Sequence, residues 1–168
     1  MRKILLAAAA AAAITASAGG AHAATATSTF QVSATVLKAC TVSAAPLAFG
    51  NYTPGAGPVS ASTTISVDCT SGTGYTVSLN GGTTTGGTVS QRLMANGTNT
   101  LQYNLYTNNT YSTILGDGTG PSVTASGTGS GMNISNSLTV YGDLPDDAAN
   151  QAAVPGSYTD TIQVTVTY

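Results

Sequence analysis

Residues 156–168, with the sequence GSYTDTIQVTVTY, decide the fold class of this chain. From position 158 onward apolar side chains recur at every second residue except at Asp160, with Thr or Gln between them. Successive side chains of a β-strand point to opposite faces, so this alternation predicts a long strand with one buried face that runs to the final residue. The predicted inward residues are Tyr158, Ile162, Val164, Val166 and Tyr168.

Asp160 lies on the same inward parity as these apolar residues. A lone buried carboxylate is costly unless it is hydrogen-bonded. We therefore expect Asp160 to accept hydrogen bonds from main-chain groups near the start of this strand.

Shorter alternating segments precede it and are separated by turn signals such as NGG at 80–82 and NG at 96–97. The clearest are residues 63–69, 75–79, 101–107 and 137–141, with a shorter candidate at 89–94. This pattern predicts roughly seven or eight short strands, no helix of note and a β-sandwich. We interpret residues 143–156 as a loop.

The first residues have the features of a Sec-type signal peptide. Met1, Arg2 and Lys3 give a positive start, residues 4–14 are apolar, and residues 21–23 (AHA) form a cleavage site. The sequence predicts a leader at residues 1–23, cut after Ala23. A membrane anchor is the less favoured alternative, because the apolar run is too short to span a bilayer and no later run of about 18 apolar residues follows.

Residues 24–168 contain two basic residues, six Asp, no Glu and no His, so their formal charge is 2 − 6 = −4. Without His there is no Ser-His-Asp triad and no histidine zinc site, and without Glu no Glu pair for glycoside hydrolysis. Two basic residues are also too few to neutralise the phosphates of a nucleic acid, which excludes a nucleic-acid-binding function. The composition favours a binding or structural role over an enzyme and predicts no cofactor.

Cys40 and Cys69 follow the predicted secretion signal. An even number of cysteines in an oxidising compartment predicts one disulfide bond, whereas two buried free thiols would be unusual there.

Residues 24–36 form an alternating segment ahead of the first cysteine. Phe30, Val32, Ala34 and Val36 share one face. A half-buried strand is the direct prediction, and an exposed apolar edge at the last strand would invite such a strand from another chain. Head-to-tail joining of that kind would build a filament. The alternative is that residues 24–36 fold back as the first strand of a complete monomeric sandwich.

Several stretches in order along the chain resemble the spore coat protein U domain, which is shared with the Csu-type pilins of the archaic chaperone–usher pathway. They are CTV at 40–42, FGNY at 49–52, VDCT at 67–70, GYTVSLNGG at 74–82, RLM at 92–94, LQYNLY at 101–106, GDG at 116–118, VYG at 140–142 and GSYTDTIQVTV at 156–166. The resemblance spans nearly all of the predicted mature chain.

The resemblance implies an incomplete immunoglobulin-like sandwich over residues 37–168 that is completed by donor-strand exchange. Residues 24–36 would be the donor segment, with Phe30, Val32, Ala34 and Val36 filling a groove walled by Ile162, Val164 and Val166. The implied partners are a periplasmic chaperone, an outer-membrane usher and neighbouring copies of the same or related pilins. The implied function is that of a secreted surface fimbria subunit in adhesion or biofilm formation. A monomeric glycan-binding module and an usher-independent coat or matrix protein are the alternatives.

Other candidate sites have weaker signals. Asp143, Asp146 and Asp147 lack the spacing of a calcium loop, which favours a solvated loop. Tyr103, Tyr106 and Tyr111 are candidates for a sugar-binding face, but without Trp packing within the sandwich is favoured for most of them. Arg92 is a candidate for pairing with an Asp that the sequence does not specify.

Overall fold

The computed structural model describes residues 23–168, so the predicted leader at 1–23 lies, except for Ala23, outside the described residues. The chain divides into two units, of which the second, Val36–Tyr168, contains all the regular secondary structure described below. Within the described part of the first unit, residues 23–35 have no regular secondary structure and are exposed.

The second unit is all-β except for one helical turn. Its elements are β1 (Cys40–Ala44), β2 (Val59–Cys69), β3 (Gly74–Leu79), β4 (Arg92–Asn96), β5 (Asn99–Tyr106), β6 (Ala125–Thr128), β7 (Asn136–Leu144), α1 (Ala148–Gln151) and β8 (Val164–Thr167). The strands form a five-stranded sheet in the order β1-β2-β7-β5-β4 and a three-stranded sheet in the order β6-β3-β8. This is the two-sheet β-sandwich that the strand pattern predicts, of the immunoglobulin-like type that the resemblance implies.

The core lies between the two sheets and comes from the inward parity of each strand. Val67 and Cys69 of β2, Val77 of β3, Leu105 of β5 and Val140 of β7 are all buried. On β2 the intervening Ser66 and Asp68 are on the opposite parity and are less buried, as the alternation predicts, whereas the polar Asn104 next to Leu105 on β5 is buried as well. Complete burial of such side chains stabilises the fold by about 1.5–3 kcal/mol each, so these few positions hold the two sheets together.

The predicted disulfide is present. Cys40 and Cys69 are bonded and are directly opposite each other in the antiparallel β1–β2 register. The bond closes a loop with a sequence separation of 29 residues. Closing a loop of that length stabilises the folded chain by about 3–4 kcal/mol in the chain-entropy account. It also holds β1 at the edge of its sheet.

The last segment differs from the single long strand predicted for it. Its alternation is present from position 158 to 167, but Thr159 bridges Ala95 of β4 in one sheet, whereas β8 pairs with β3 in the other. The chain therefore crosses between the sheets around Asp160, and regular pairing is confined to Val164–Thr167. Tyr168 was predicted to face inward but is 54% exposed.

Three further differences concern short elements. The half-buried strand predicted within residues 24–36 is not formed within this chain, since no described strand pairs with it. Strand β6 is not among the predicted strands, and its pairing with β3 is possible because Gly127 leaves room for the ring of Tyr75 opposite it. The predicted loop at 143–156 contains one helical turn, which the Asp147 carboxylate caps by accepting a hydrogen bond from the Asn150 amide (2.9 Å).

Arg92 is fully buried and does not pair with an Asp, contrary to the hypothesis from the sequence. Its guanidinium donates to the Asn104 side-chain oxygen (2.7 Å) and to the main-chain oxygens of Leu115 (2.9 Å) and Asn80 (3.0 Å). Burial lowers the pKa of Arg92 from its usual value, but an Arg side chain stays protonated in proteins. The guanidinium of Arg92 thus links β4 to β5, to the connection that follows β3 and to the connection that follows β5.

Candidate functional site

An apolar groove runs between one edge of each sheet. Strand β1 is an edge of the five-stranded sheet, β8 is an edge of the three-stranded sheet, and the two lie against each other. The groove between them has a volume of about 440 Å³. One wall is formed by residues 44–47 and Phe49, the other by residues 158–162 and Val164, and the floor by Thr63, Ile65, Leu79, Met94, Tyr103, Leu105 and Val140.

The backbone of β8 leaves one row of hydrogen-bonding groups facing this groove. The main-chain oxygen of Gln163 accepts from the Asn80 amide (3.2 Å), and the Gln163 amide donates to the Asn80 side chain (2.9 Å). Bonding direction alternates along an antiparallel strand, so the amides and carbonyls of Ile162, Val164 and Val166 point away from β3. No described strand pairs with that side of β8. A further strand can therefore be added there.

The side chains along this wall are only partly covered. Ile162, Val164 and Val166 are half-buried and pack against the buried core without joining it completely. Ile162 and Val164 line the groove, whereas Val166 lies beyond its described lining. Two of the three predicted wall residues are thus at the groove itself.

The opposite wall was not predicted as part of a site. Apart from the FGNY motif at 49–52, residues 46–57 have no role predicted from the sequence, yet Leu47 and Phe49 line the groove. They approach closely because Gly142 of β7 lies beneath them, and a Cβ at that position would be 2.9 Å from each side chain. Phe49 also makes an edge-to-face contact with Tyr103, with ring centroids 5.9 Å apart. The FGNY motif at 49–52 was visible in the sequence, but its role depends on a glycine about 90 residues later.

Asp160 is fixed at the crossing between the sheets. Its carboxylate accepts hydrogen bonds from the amides of Thr83 (2.9 Å) and Thr84 (3.0 Å) and from the Tyr103 hydroxyl (2.7 Å). The expected main-chain donors are present, although they belong to the turn after β3. Gly82 has a φ of +89°, and any side chain there would collide with the carboxylate. These bonds hold the groove wall in position as it leaves one sheet for the other.

The pKa of Asp160 is lowered: burial by itself raises it, but hydrogen bonds from Tyr103, Thr161, Thr83 and Thr84 outweigh burial. A carboxyl with a depressed pKa in the folded state adds stability above its ordinary pKa of 3.8. That stability is lost as the pH falls from there through the lowered value. We expect Asp160→Asn to flatten the decline in stability between about pH 5 and 2, as measured by urea unfolding.

The control for this prediction is Asp117→Asn. The Asp117 carboxylate bonds only within its own turn, chiefly to the Thr119 hydroxyl and amide, and it is exposed. Hydrogen bonds from the Thr119 side chain and amide also lower the pKa of Asp117, but solvent screens an exposed carboxylate, so this variant should keep most of the wild-type acid dependence. An unchanged profile in Asp160→Asn would contradict the assigned role of Asp160.

The predicted donor residues lie in a segment that offers an apolar row. Phe30, Val32 and Val36 are 88%, 81% and 85% exposed, and Ala34 is exposed as well. Large apolar side chains with this exposure are unusual in a folded chain. Four such residues at every second position are the pattern of a β-strand that packs one face against a partner. The exposure marks these residues as available for a contact.

The aspartates of the 143–147 loop, a second candidate site from the sequence, do not form a metal site. Asp146 accepts from the Tyr52 hydroxyl and from the amides of Gly55 (2.9 Å) and Gly57 (2.8 Å), and these bonds hold its pKa below the ordinary value. Within residues 23–168 no three His, Cys, Asp or Glu side chains are grouped to hold a metal ion. Among the described helices, none is long and apolar enough to span a membrane.

Comparison with known proteins gives two findings. The model of the Spore Coat Protein U domain matches residues 26–165. A chain in the crystal structure of the CsuC–CsuE chaperone–tip adhesion subunit pre-assembly complex, from archaic chaperone–usher Csu pili of Acinetobacter baumannii, is similar at 28% identity with a TM-score of 0.52. The similarity covers 80% of this chain and 40% of that one. A search of curated proteins found no match.

Proposed function

The chain belongs to the Spore Coat Protein U domain family, and we propose that it is a structural subunit of a secreted surface fimbria. In this proposal, residues 37–168 are an incomplete sandwich and residues 24–36 are the donor segment that completes the sandwich of a neighbouring subunit. Residues 1–23 are the leader that directs secretion. The fimbria supports adhesion or biofilm formation, and the subunit has no catalytic role.

The observation that carries the proposal is an apolar groove beside a strand edge that no described strand pairs with. Such an edge is a template for another strand, and main-chain hydrogen bonds to it supply affinity while alternate side chains supply specificity. The outward-pointing bonding groups of Ile162, Val164 and Val166 have a period of two. The donor row of Phe30, Val32, Ala34 and Val36 has the same period.

Burial of the donor residues supplies the binding energy. Moving one side chain such as Phe30 from water into the groove contributes about 1.5–3 kcal/mol, and Val32 and Val36 add to it. Hydrogen bonds along β8 add affinity and fix the register. Joints between successive subunits would therefore resist separation, and a head-to-tail contact that does not close extends into a filament.

The same groove defines the partners in the proposal. Before assembly, an exposed apolar groove and an unpaired edge would aggregate, so a periplasmic chaperone that lends a strand is the expected first partner. An outer-membrane usher then exchanges that strand for the donor segment of the next copy. The similar subunit from Acinetobacter baumannii comes from a chaperone–subunit pre-assembly complex, which supports a chaperone partner here.

A peptide of residues 24–36 tests whether this segment completes the sandwich. The recipient is the full chain with Phe30→Asp, whose own donor segment is disabled. At a peptide concentration 100 times its Kd, the folded chain should gain about 2.7 kcal/mol. The melting temperature should then rise by roughly 10 °C, measured by circular dichroism.

Two peptides and one variant make this test specific. A peptide with Gln31→Asp, changed on the opposite face, should work as well as the wild type, whereas a peptide with Phe30→Asp should not. Adding Ile162→Asp to the recipient should remove the effect of the wild-type peptide. A recipient that is stable and does not respond to any peptide would mean that the sandwich is complete without residues 24–36.

A further inference from the structure

Three tyrosines lie together on the outer face of the five-stranded sheet, away from the groove. Tyr106 of β5 is directly opposite Tyr141 of β7, and both are on the outward parity of their strands. Side chains opposite each other on one face of an antiparallel pair are about 4.5–5.5 Å apart at Cβ. Tyr111 contacts Tyr106 edge to face, with ring centroids 5.6 Å apart. We call Tyr106, Tyr111 and Tyr141 the tyrosine patch.

The hydroxyl groups of the patch are unused within the described chain. The tyrosines at 52, 103 and 158 each donate a hydrogen bond to a protein oxygen. The three patch tyrosines donate none to any residue in 23–168. They are half-buried, so part of each residue remains in contact with solvent.

A carboxylate without donors lies at the border of the patch. Asp143 follows Tyr141 by two residues on β7, so both are on the outer face, diagonal to Tyr106. Burial is the one cause that raises the pKa of Asp143, and no hydrogen bond offsets it. The charge of Asp143 also contributes to the raised pKa of Tyr106, after burial of that ring. Asp143 is thus a partly desolvated acceptor that receives no hydrogen bond from the described residues.

The loop that carries Tyr111 is held in one conformation. Tyr111 has a φ of +53°, which is uncommon for a residue with a large side chain. The Asn108 side chain accepts from the Thr110 hydroxyl (2.9 Å) and the Ser112 amide (3.1 Å). These bonds and the edge-to-face contact with Tyr106 restrain the position of Tyr111, and a restrained side chain loses less conformational freedom when a ligand binds.

We propose that the tyrosine patch and Asp143 form a binding site for a pyranose sugar. Aromatic ring faces suit the apolar C–H face of a pyranose, while free tyrosine hydroxyls and the Asp143 carboxylate suit its hydroxyl groups. Ser62 and Ser60, directly opposite Tyr141 and Asp143 on β2, border the same face with further hydroxyls. The site is separate from the groove, so it is independent of the fimbria proposal.

Methyl pyranosides of glucose, galactose, mannose and N-acetylglucosamine are the probes for this site. The experiment titrates each into the full secreted chain and follows tyrosine ring resonances by NMR, which is practical because the chain has eight Tyr and no Trp. At least one probe should shift the resonances of Tyr106, Tyr111 and Tyr141 saturably. Tyr141→Ala should weaken its binding by about tenfold or more, and Tyr141→Phe should weaken it less because the ring remains.

Asp143→Asn should also weaken binding, whereas Asp68→Asn, a carboxylate on the outward parity of β2, should not. Thermal melting of each variant checks that the fold is retained. If none of the four pyranosides shifts the patch resonances at tens of millimolar, the proposal is wrong. It is also wrong if Asp68→Asn lowers affinity as much as Asp143→Asn, or if a tetramethylammonium ion binds the patch and the sugars do not.

Discussion

Replacing Phe30 with Asp is expected to abolish the joining of one subunit to the next. The groove proposed to receive this side chain has a floor of apolar residues such as Leu105, Met94 and Val140. A carboxylate moved into it would lose its hydration without gaining a partner, which costs far more than the burial energy lost with the ring. Secreted Phe30→Asp chain should stay at the size of a single subunit in sedimentation, and the cell surface should lack filaments in electron microscopy.

The matched variant is Gln31→Asp, which adds the same charge one residue along on the opposite face. It should assemble like the wild type, because its side chain would point away from the groove. Ile162→Asp, on the receiving wall, should fail as Phe30→Asp does, while Thr165→Asp, exposed on the other parity of β8 and outside the groove lining, should not. Normal assembly of Phe30→Asp would exclude residues 24–36 as the donor, and equal loss in Gln31→Asp would point to net charge instead.

The second large effect is expected on stability, from Arg92→Met. The substitution keeps an unbranched chain in a fully buried position but removes every donor. The main-chain oxygens of Asn80 and Leu115 and the side-chain oxygen of Asn104 would then be buried without these bonds. The Asn104 oxygen keeps its bond from the Leu105 amide (2.8 Å), so the two main-chain oxygens are left without a donor. An unsatisfied buried group costs about 1–3 kcal/mol, so the two together predict a loss of roughly 2–6 kcal/mol. Unfolding in guanidinium chloride, followed by circular dichroism, measures it.

Arg92→Lys separates charge from geometry. A lysine keeps the positive charge but cannot spread its donors over three acceptors in different directions, so most of the loss should remain. Lys38→Met is the control, because Lys38 is exposed and is the other basic residue of 24–168. It should change the free energy of unfolding by less than about 0.5 kcal/mol. A loss of under 1 kcal/mol in Arg92→Met would show that the surrounding chain readjusts to satisfy its own oxygens.

The groove explains why some sequence expectations were correct and others were not. The inward parity of β2, β3 and β5 was predictable because burial on one face leaves a period-two pattern in the residues themselves. The pairing of β8 was not, because the same alternation continues through residues 158–167 although the chain changes sheets at Asp160. Hydrophobic periodicity shows which face of a strand is buried, but it does not show to which of the two sheets the strand belongs.

Contacts between distant residues account for the other omissions. Leu47 and Phe49 become a groove wall only because Gly142 lies beneath them. Arg92 donates mainly to main-chain oxygens and not to a carboxylate. Because every residue has a main-chain oxygen, the residue types do not show which of them accepts a bond. Strand β6 has four small or polar residues and is a strand because β3 pairs with it.

The sequence by itself determined the all-β class, the disulfide between Cys40 and Cys69 and the inward residues of most strands. It also led to the hypothesis that the last strand has an exposed apolar edge to which another strand can pair. These follow from local periodicity, from composition and from the cysteine count, each of which acts within a few residues or on the chain as a whole. Only the tertiary structure decided which sheet edges are open, what forms the second wall of the groove, and that the tyrosines at 106, 111 and 141 meet on the outer face. Such features arise where strands far apart in the chain are brought into register, and register is set by the packing of the complete sandwich.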